Sequence, residues 1–268
     1  MDILNFLQYS FIQKAFFAGS FVAIVCSVLG LFLVLRKMSL IGDGLSHVSF
    51  GAIALGLFFG IYPFYIAVPV VMIASILILK ISEKAKVYGD SAIGIISAVG
   101  IAGGVILASV SSGFNVDLFS YLFGSILAIS NTEVILSIVL SLVVLAVIYL
   151  FYWDLFSATF DEEYAKTTGI RTNFINMILT LLTAITVVLS VKMVGIMLVS
   201  ALLILPAATA LQFAKGFKMA MAIGSIVSLI SVLLGITLSF FLDLPTGAII
   251  VMINALFFAL AFFYKKLS

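Results

Sequence analysis

The sequence predicts an all-α fold, a polytopic membrane protein of about eight or nine transmembrane helices, and three observations predict it. Its 268 residues are 65% hydrophobic, where soluble domains are about half apolar. Only 9% are charged, against about a quarter in soluble chains. Mean hydropathy is +1.39, and the apolar residues fall in runs close to the roughly 20 needed to cross a bilayer core. So little polar sequence remains that residues 1–268 read as a single transmembrane domain.

Taken in order, runs bounded by charge or by Gly and Pro predict spans near 15–35, 44–60, 62–80, 91–110, 134–153, 173–192, 194–213, 220–241 and 246–263. The first follows Lys14 and ends at Arg36 and Lys37; it is too long for a signal-peptide core and lacks a small-residue cleavage site. Lys80 closes the third, Lys215 and Lys218 separate the seventh from the eighth, and Lys265 and Lys266 close the ninth. Residues 118–130 (LFSYLFGSILAIS) are apolar but too short to span, so they read as an interfacial or re-entrant segment at the outer mouth. With Arg36 and Lys37 inside, 11 of the 13 basic residues lie inside and only Lys14 and Lys192 outside. The N-terminus is then outside and the C-terminus cytoplasmic.

Composition also excludes function classes. A net charge of +2 spread over short loops does not suit nucleic-acid binding. The single cysteine, Cys26, can form neither an intrachain disulfide nor a multi-cysteine metal site, and reads as packing. There is no short-period repeat and no GxxxxGK[ST] loop, so any ATP chemistry must come from a partner.

One ionisable pair is expected inside a span: Asp43 and His47, in IGDGLSHVSFGAIALG, where His47 is the only histidine. Four residues apart on a helix, they share a face. A carboxylate in a bilayer costs about 2.5–3.5 kcal/mol on insertion scales, so it tends to face a partner, a cavity or an ion. Carboxylate oxygen and neutral imidazole nitrogen are both good ligands for first-row divalent metals. Two readings stay open from spacing alone: a metal pair in a transport path, or an Asp43 cap on the second span with His47 snorkelling or bonding a neighbouring helix.

The longest polar stretch, SATFDEEYAKTTGIRT over Ser157–Thr172, predicts a short cytoplasmic helix, with Thr159 and Glu162 as a capping box and Gly169 as its end. A solvated loop is the alternative. In VGIMLVSALLILPAATA, over Val194–Ala210, Ser200 and Pro206 stand among small residues that suit either close helix packing or a path lining.

Four blocks in order, RKMSLIGDGLSHVSFGAIALG, VDLFSYLFGSILAIS, FDEEYAKTTGI and VGIMLVSALLILPAATA, make the chain resemble the zinc and manganese ABC permease family from about Arg36 to Lys266. The resemblance implies a helical permease of the prokaryotic plasma membrane that forms a homodimer around a central path. It also implies two cytoplasmic ATPase subunits and an extracytoplasmic metal-binding protein as partners. By the same resemblance Asp43 and His47 bind the transported metal, and Asp161, Glu162, Glu163 and Gly169 couple to the ATPase. Tyr164 departs from the family's E-A-A-x-x-x-G loop, and Ser125 stands where some zinc-type relatives carry an acidic residue. The chain is thus expected to be a transport subunit and no enzyme, with no resident cofactor and a divalent metal as cargo. Zinc is the expected cargo, with manganese or iron as the alternative, because zinc binds nitrogen and oxygen ligands more tightly in the Irving–Williams order. A secondary carrier is the rival class; its ion coupling would need more intramembrane ionisable groups than this one pair. An intramembrane metalloenzyme would need a third protein ligand and a base.

Overall fold

Among the described residues, nine helices are long and apolar enough to cross a membrane. The computed structural model describes residues 8–84, 89–110, 121, 122, 124 and 130–267. In chain order the helices are α1 (Ser10–Leu35), α2 (Ile41–Phe58), α3 (Pro63–Lys84), α4 (Gly89–Val110) and α5 (Asn131–Leu150). Two short ones follow, α6 (Tyr152–Phe160) and α7 (Glu162–Thr167). Then come α8 (Thr172–Val194), a single 3-10 turn at Ile196–Leu198, α9 (Val199–Phe213), α10 (Phe217–Leu242) and α11 (Thr246–Leu267). All nine expected spans are present, with α1 starting before Lys14 and the seventh crossing made of the 3-10 turn and α9 together.

The core is built on α1 and α8, which bury residues on most of their faces. Helices α9 and α10 pack on α1, α2 packs on α3 and α4, and α11 closes against α9 and α10. The outermost surface is apolar: Val99 on α4, Ile135 on α5 and Met252 on α11 are each more than 60% exposed. In a bilayer that is the solvent-compatible arrangement, since lipid tails and leucines are equally apolar. A helix pairs its own backbone polar groups, as the hydrocarbon region demands; Pro69 in α3 and Pro206 in α9 each remove one donor from that ladder. Along α8 the hydroxyls of Thr183, Thr186 and Ser190 donate to the carbonyls four residues earlier, which hides them in an otherwise apolar interior. Cys26 is a free, buried thiol against the Ser190 hydroxyl at 3.0 Å, so it packs as expected.

Helices α2 and α4 meet through glycine. A Cβ at Gly100 would lie 2.7 Å from Val48 Cα and 3.1 Å from the His47 carbonyl oxygen. No side chain larger than hydrogen fits between these backbones without moving α4 away from the segment that carries His47.

The polar connection between α5 and α8 differs from expectation at its start. The helix beginning at Glu162 is capped by Asp161, whose carboxylate accepts from the Tyr164 amide at 2.9 Å. Thr159 is the penultimate residue of the preceding helix α6, and its hydroxyl donates back to the Leu155 carbonyl. Thr159 is therefore no N-cap: an Asp one residue from the first helical position competes better for the orphan amides. Gly169, at φ +89°, ends the segment as expected, and the Ile170 amide reaches back to the Ala165 carbonyl. The segment 118–130 falls largely outside the described residues. Of its residues, Gly124 lies against the backbone of Met193, Val194 and Gly195.

Candidate metal path and coupling surface

The Asp43–His47 pair is positioned by the tight reversal between α1 and α2. Lys37 takes a left-handed backbone (φ 58°) and the Met38 amide bonds the Leu33 carbonyl at 2.9 Å, so only residues 36–40 separate α1 from α2. Leu40 is the N-cap of α2 and makes no side-chain cap. Asp43, the third residue of the helix, therefore does not cap it, which removes that reading; its charge still sits favourably near the positive end of the helix. The Ser46 hydroxyl donates to the Asp43 carbonyl at 2.7 Å.

His47 Nε2 stands 3.5 Å from Asp43 Oδ2, with side-chain exposures of 26% and 46%. Across from them, Ser200 Oγ on the first turn of α9 lies 3.5 Å from Asp43 Oδ1. Its position follows from Gly195, whose φ of +88° ends α8 and lets the 3-10 turn redirect the chain. Both separations are long for hydrogen bonds, which are strongest near 2.8–3.0 Å. The Asp43 carboxylate and His47 imidazole are thus loosely held and partly exposed. Among the described residues no three His, Cys, Asp or Glu side chains converge, so the chain brings two such groups together here. Pro206 is separate from this place: it is buried, with its carbonyl facing α10 near Gly224.

On the basic side of the molecule, Glu162 and Glu163 both pair with Lys166, at 3.4 and 2.9 Å. The two carboxylates raise the Lys166 ammonium above its usual range, led by the hydrogen bond it donates to Glu163. Only Ala165 of α7 is fully buried; Glu163 and Tyr164 face outward, while half-buried Glu162 lines a cavity with Arg36. Arg36 ties this surface to the helices: its Nε donates to Thr159 Oγ1 at 3.0 Å and its Nη1 to Asn176 Oδ1. Burial lowers the Arg36 pKa, opposed by the charge of Glu162.

Sequence reasoning found one intramembrane pair and missed a second. Glu133, in the first turn of α5, meets Lys192, in the last turn of α8, at 3.3 Å, with side-chain exposures of 4% and 11%. Lys192 also lies 4.3 Å from the Tyr121 ring centroid. Glu133 closes a capping box with Ser130, bonding its amide at 2.7 Å. That box, S-N-T-E, is legible in the sequence; the partner Lys192, 59 positions further on, is not. Unlike Asp43, the Glu133 carboxylate is fully engaged.

A family model described as the ABC 3 transport family matches residues 8–265. The chain is 37% identical over 259 residues to the manganese transport system membrane protein MntC of Halalkalibacterium halodurans, covering 97% of this chain and 89% of that one. It is 33% identical over 259 residues to the high-affinity zinc uptake system membrane protein ZnuB of Haemophilus influenzae, covering 97% and 99%. The solved structure of PsaBC from Streptococcus pneumoniae in complex with Fab superposes with a TM-score of 0.88 at 33% identity, over 97% of this chain and 94% of that one.

Proposed function

Because the chain belongs to the ABC 3 transport family, as the multi-pass membrane permease of an ABC-type metal importer whose ATPase is a separate subunit, we propose that Asp43 and His47 bind the transported cation on its way through a homodimer. The observation that carries this reading is the open pair itself. Two ligand atoms about 2.1 Å from one tetrahedral ion stand about 3.4 Å apart, and Nε2 and Oδ2 are separated by 3.5 Å. A loosely held carboxylate and imidazole can close on an ion and release it without breaking a strong internal bond. Ser200 holds Asp43 from the opposite helix and offers a weak oxygen of its own. Two side chains do not complete a coordination sphere, which supports a second copy of the chain contributing its own Asp43 and His47. The metal is cargo, passed along unchanged, and the chain holds no resident cofactor.

At the other functional surface, Asp161, Glu162, Glu163 and Gly169 form the contact with the ATPase subunit. The exposed acidic helix α7 supports this, since it is solvated, rigidly capped and braced through Arg36 against α1 and α8. An extracytoplasmic substrate-binding protein completes the assembly and delivers the ion to the opposite mouth.

For the cargo, the N and O ligand set favours zinc by the Irving–Williams order, while the similarity to a manganese transport protein favours manganese equally. Growth of a deletion strain under chelation, rescued metal by metal, separates them: rescue by manganese and not by zinc overturns the zinc assignment and leaves the importer intact. The site is tested with His47→Ala and Asp43→Asn, which should abolish uptake while membrane insertion is retained. Wild-type uptake in both would remove the pair from the path. Cysteines at Glu162 or Lys166 should crosslink to the ATPase subunit; labelling of those positions only from outside the cell would overturn the topology.

A further inference from the structure

A groove of about 710 Å³ opens on the basic side between the end of α5, the start of α6 and the first two turns of α10. Its rim is aromatic and cationic. Lys218 Nζ stands 5.7 Å from the Trp153 ring centroid and 6.0 Å from that of Tyr152. Among the described residues no carboxylate lies within 4.0 Å of that ammonium. Trp153 is 66% exposed and Tyr149, on the adjoining end of α5, 82% exposed. Lys215, three residues before Lys218, adds a second exposed positive charge at the same end of α10.

Below the rim the groove changes character. Met221, Ala222 and Ser225 continue down α10, and Val28 of α1 forms the base. From Lys218 to Ser225 a helix rises about 10 Å, so the groove carries its charge at one level and its apolar floor one headgroup's depth further in. Helix α6 fixes that level. Phe156 lies 5.2 Å from Phe217 and 4.8 Å from Phe160, ring centroid to ring centroid, which staples α6 to the start of α10. An aromatic helix lying beside a lysine-bearing helix end is the composition of a membrane–water interface. Burial raises the Tyr152 phenol above its usual range, so its hydroxyl stays a hydrogen-bond donor at neutral pH.

We propose that this groove is a binding site for an anionic phospholipid of the cytoplasmic leaflet, its phosphate held by Lys218 beside Tyr152 and Trp153 and an acyl chain lying over Met221, Ala222 and Val28. An occupant must be anionic at one end and apolar at the other, and must reach a surface that opens sideways into the bilayer. A phospholipid meets all three demands; free phosphate lacks the tail, and an acidic peptide has no route to the apolar floor. Basic pockets at helix ends on this side of a membrane recognise such headgroups, with about 1 kcal/mol from each lysine. The site shares no residue with Asp43, His47 or Ser200, and stands or falls independently of the metal reading.

The test is lipid retention and titration on the full chain in mild detergent. Native mass spectrometry of the purified protein should show bound phosphatidylglycerol, and titration with phosphatidylglycerol micelles should raise the melting temperature while phosphatidylcholine does not. Lys218→Met should weaken the phosphatidylglycerol response about five-fold. Lys218→Arg should keep it. Equal responses to both lipids, or an unchanged response in Lys218→Met, would overturn the proposal. So would inorganic phosphate reproducing the effect of the lipid, or the ATPase subunit rather than lipid protecting a cysteine placed at Lys218 from labelling.

Discussion

Replacing Lys192 by Met leaves the Glu133 carboxylate without its cation at a position where only 4% of the side chain meets solvent. At 3.3 Å and an effective dielectric near 20, the lost attraction is about 5 kcal/mol. Removing one partner of a buried pair costs about 3–5 kcal/mol by measurement, so the two figures agree. Loss of the contact with the Tyr121 ring at 4.3 Å adds about 0.5–1 kcal/mol. The reverse change, Glu133→Gln, should cost less, about 1–3 kcal/mol. Gln at that position keeps the capping box, and the lysine stem lets its ammonium turn toward the interface. In the double variant neither charge is stranded, and stability should return most of the way to wild type. The assay is thermal melting in detergent, where 3–5 kcal/mol corresponds to a fall of about 10 °C for a chain of this size. The expected order is wild type, then the double variant, then Glu133→Gln, then Lys192→Met. Melting of Lys192→Met within a degree of wild type would refute the reasoning, as would a double variant no better than the sum of the two single changes.

Arg36→Ala should cost about 2–4 kcal/mol by removing two charged-group hydrogen bonds, to Thr159 and Asn176. Limited proteolysis between α6 and α7 should then accelerate, and an unchanged cleavage rate would count against Arg36 as their brace. Gly100→Ala places a Cβ 2.7 Å from Val48 Cα and should destabilise by about 1–3 kcal/mol, with metal uptake falling further because α2 is displaced. Gly94→Ala on the same helix meets open space and should gain about 0.5–1 kcal/mol from helix entropy; melting curves in which the two alanines behave alike would disprove the tight crossing.

Nine spans were legible because each is a local property: about 20 apolar residues in a row need no partner to be recognised. The Asp43–His47 pair was legible for a similar reason, since four residues on a helix fix a shared face. Termini of short polar helices were less so. Thr159 and Asp161 are both good caps by residue type, and which one serves was decided by α6 running through Thr159, whose hydroxyl donates back to the Leu155 carbonyl. Contacts between distant residues were not legible at all. Nothing in the order of residues brings Ser200 to Asp43, Lys192 to Glu133, or Lys218 over Trp153. Those pairings depend on how helices cross, as where Gly42 of α2 lies against Leu203 and Ser200 of α9. The sequence by itself therefore determined the solvent, the nine spans and the shared helical face of Asp43 and His47. Tertiary structure alone decided which charges are paired and buried and which stay loosely held and partly exposed, because burial and pairing are properties of packed surfaces and not of residue spacing.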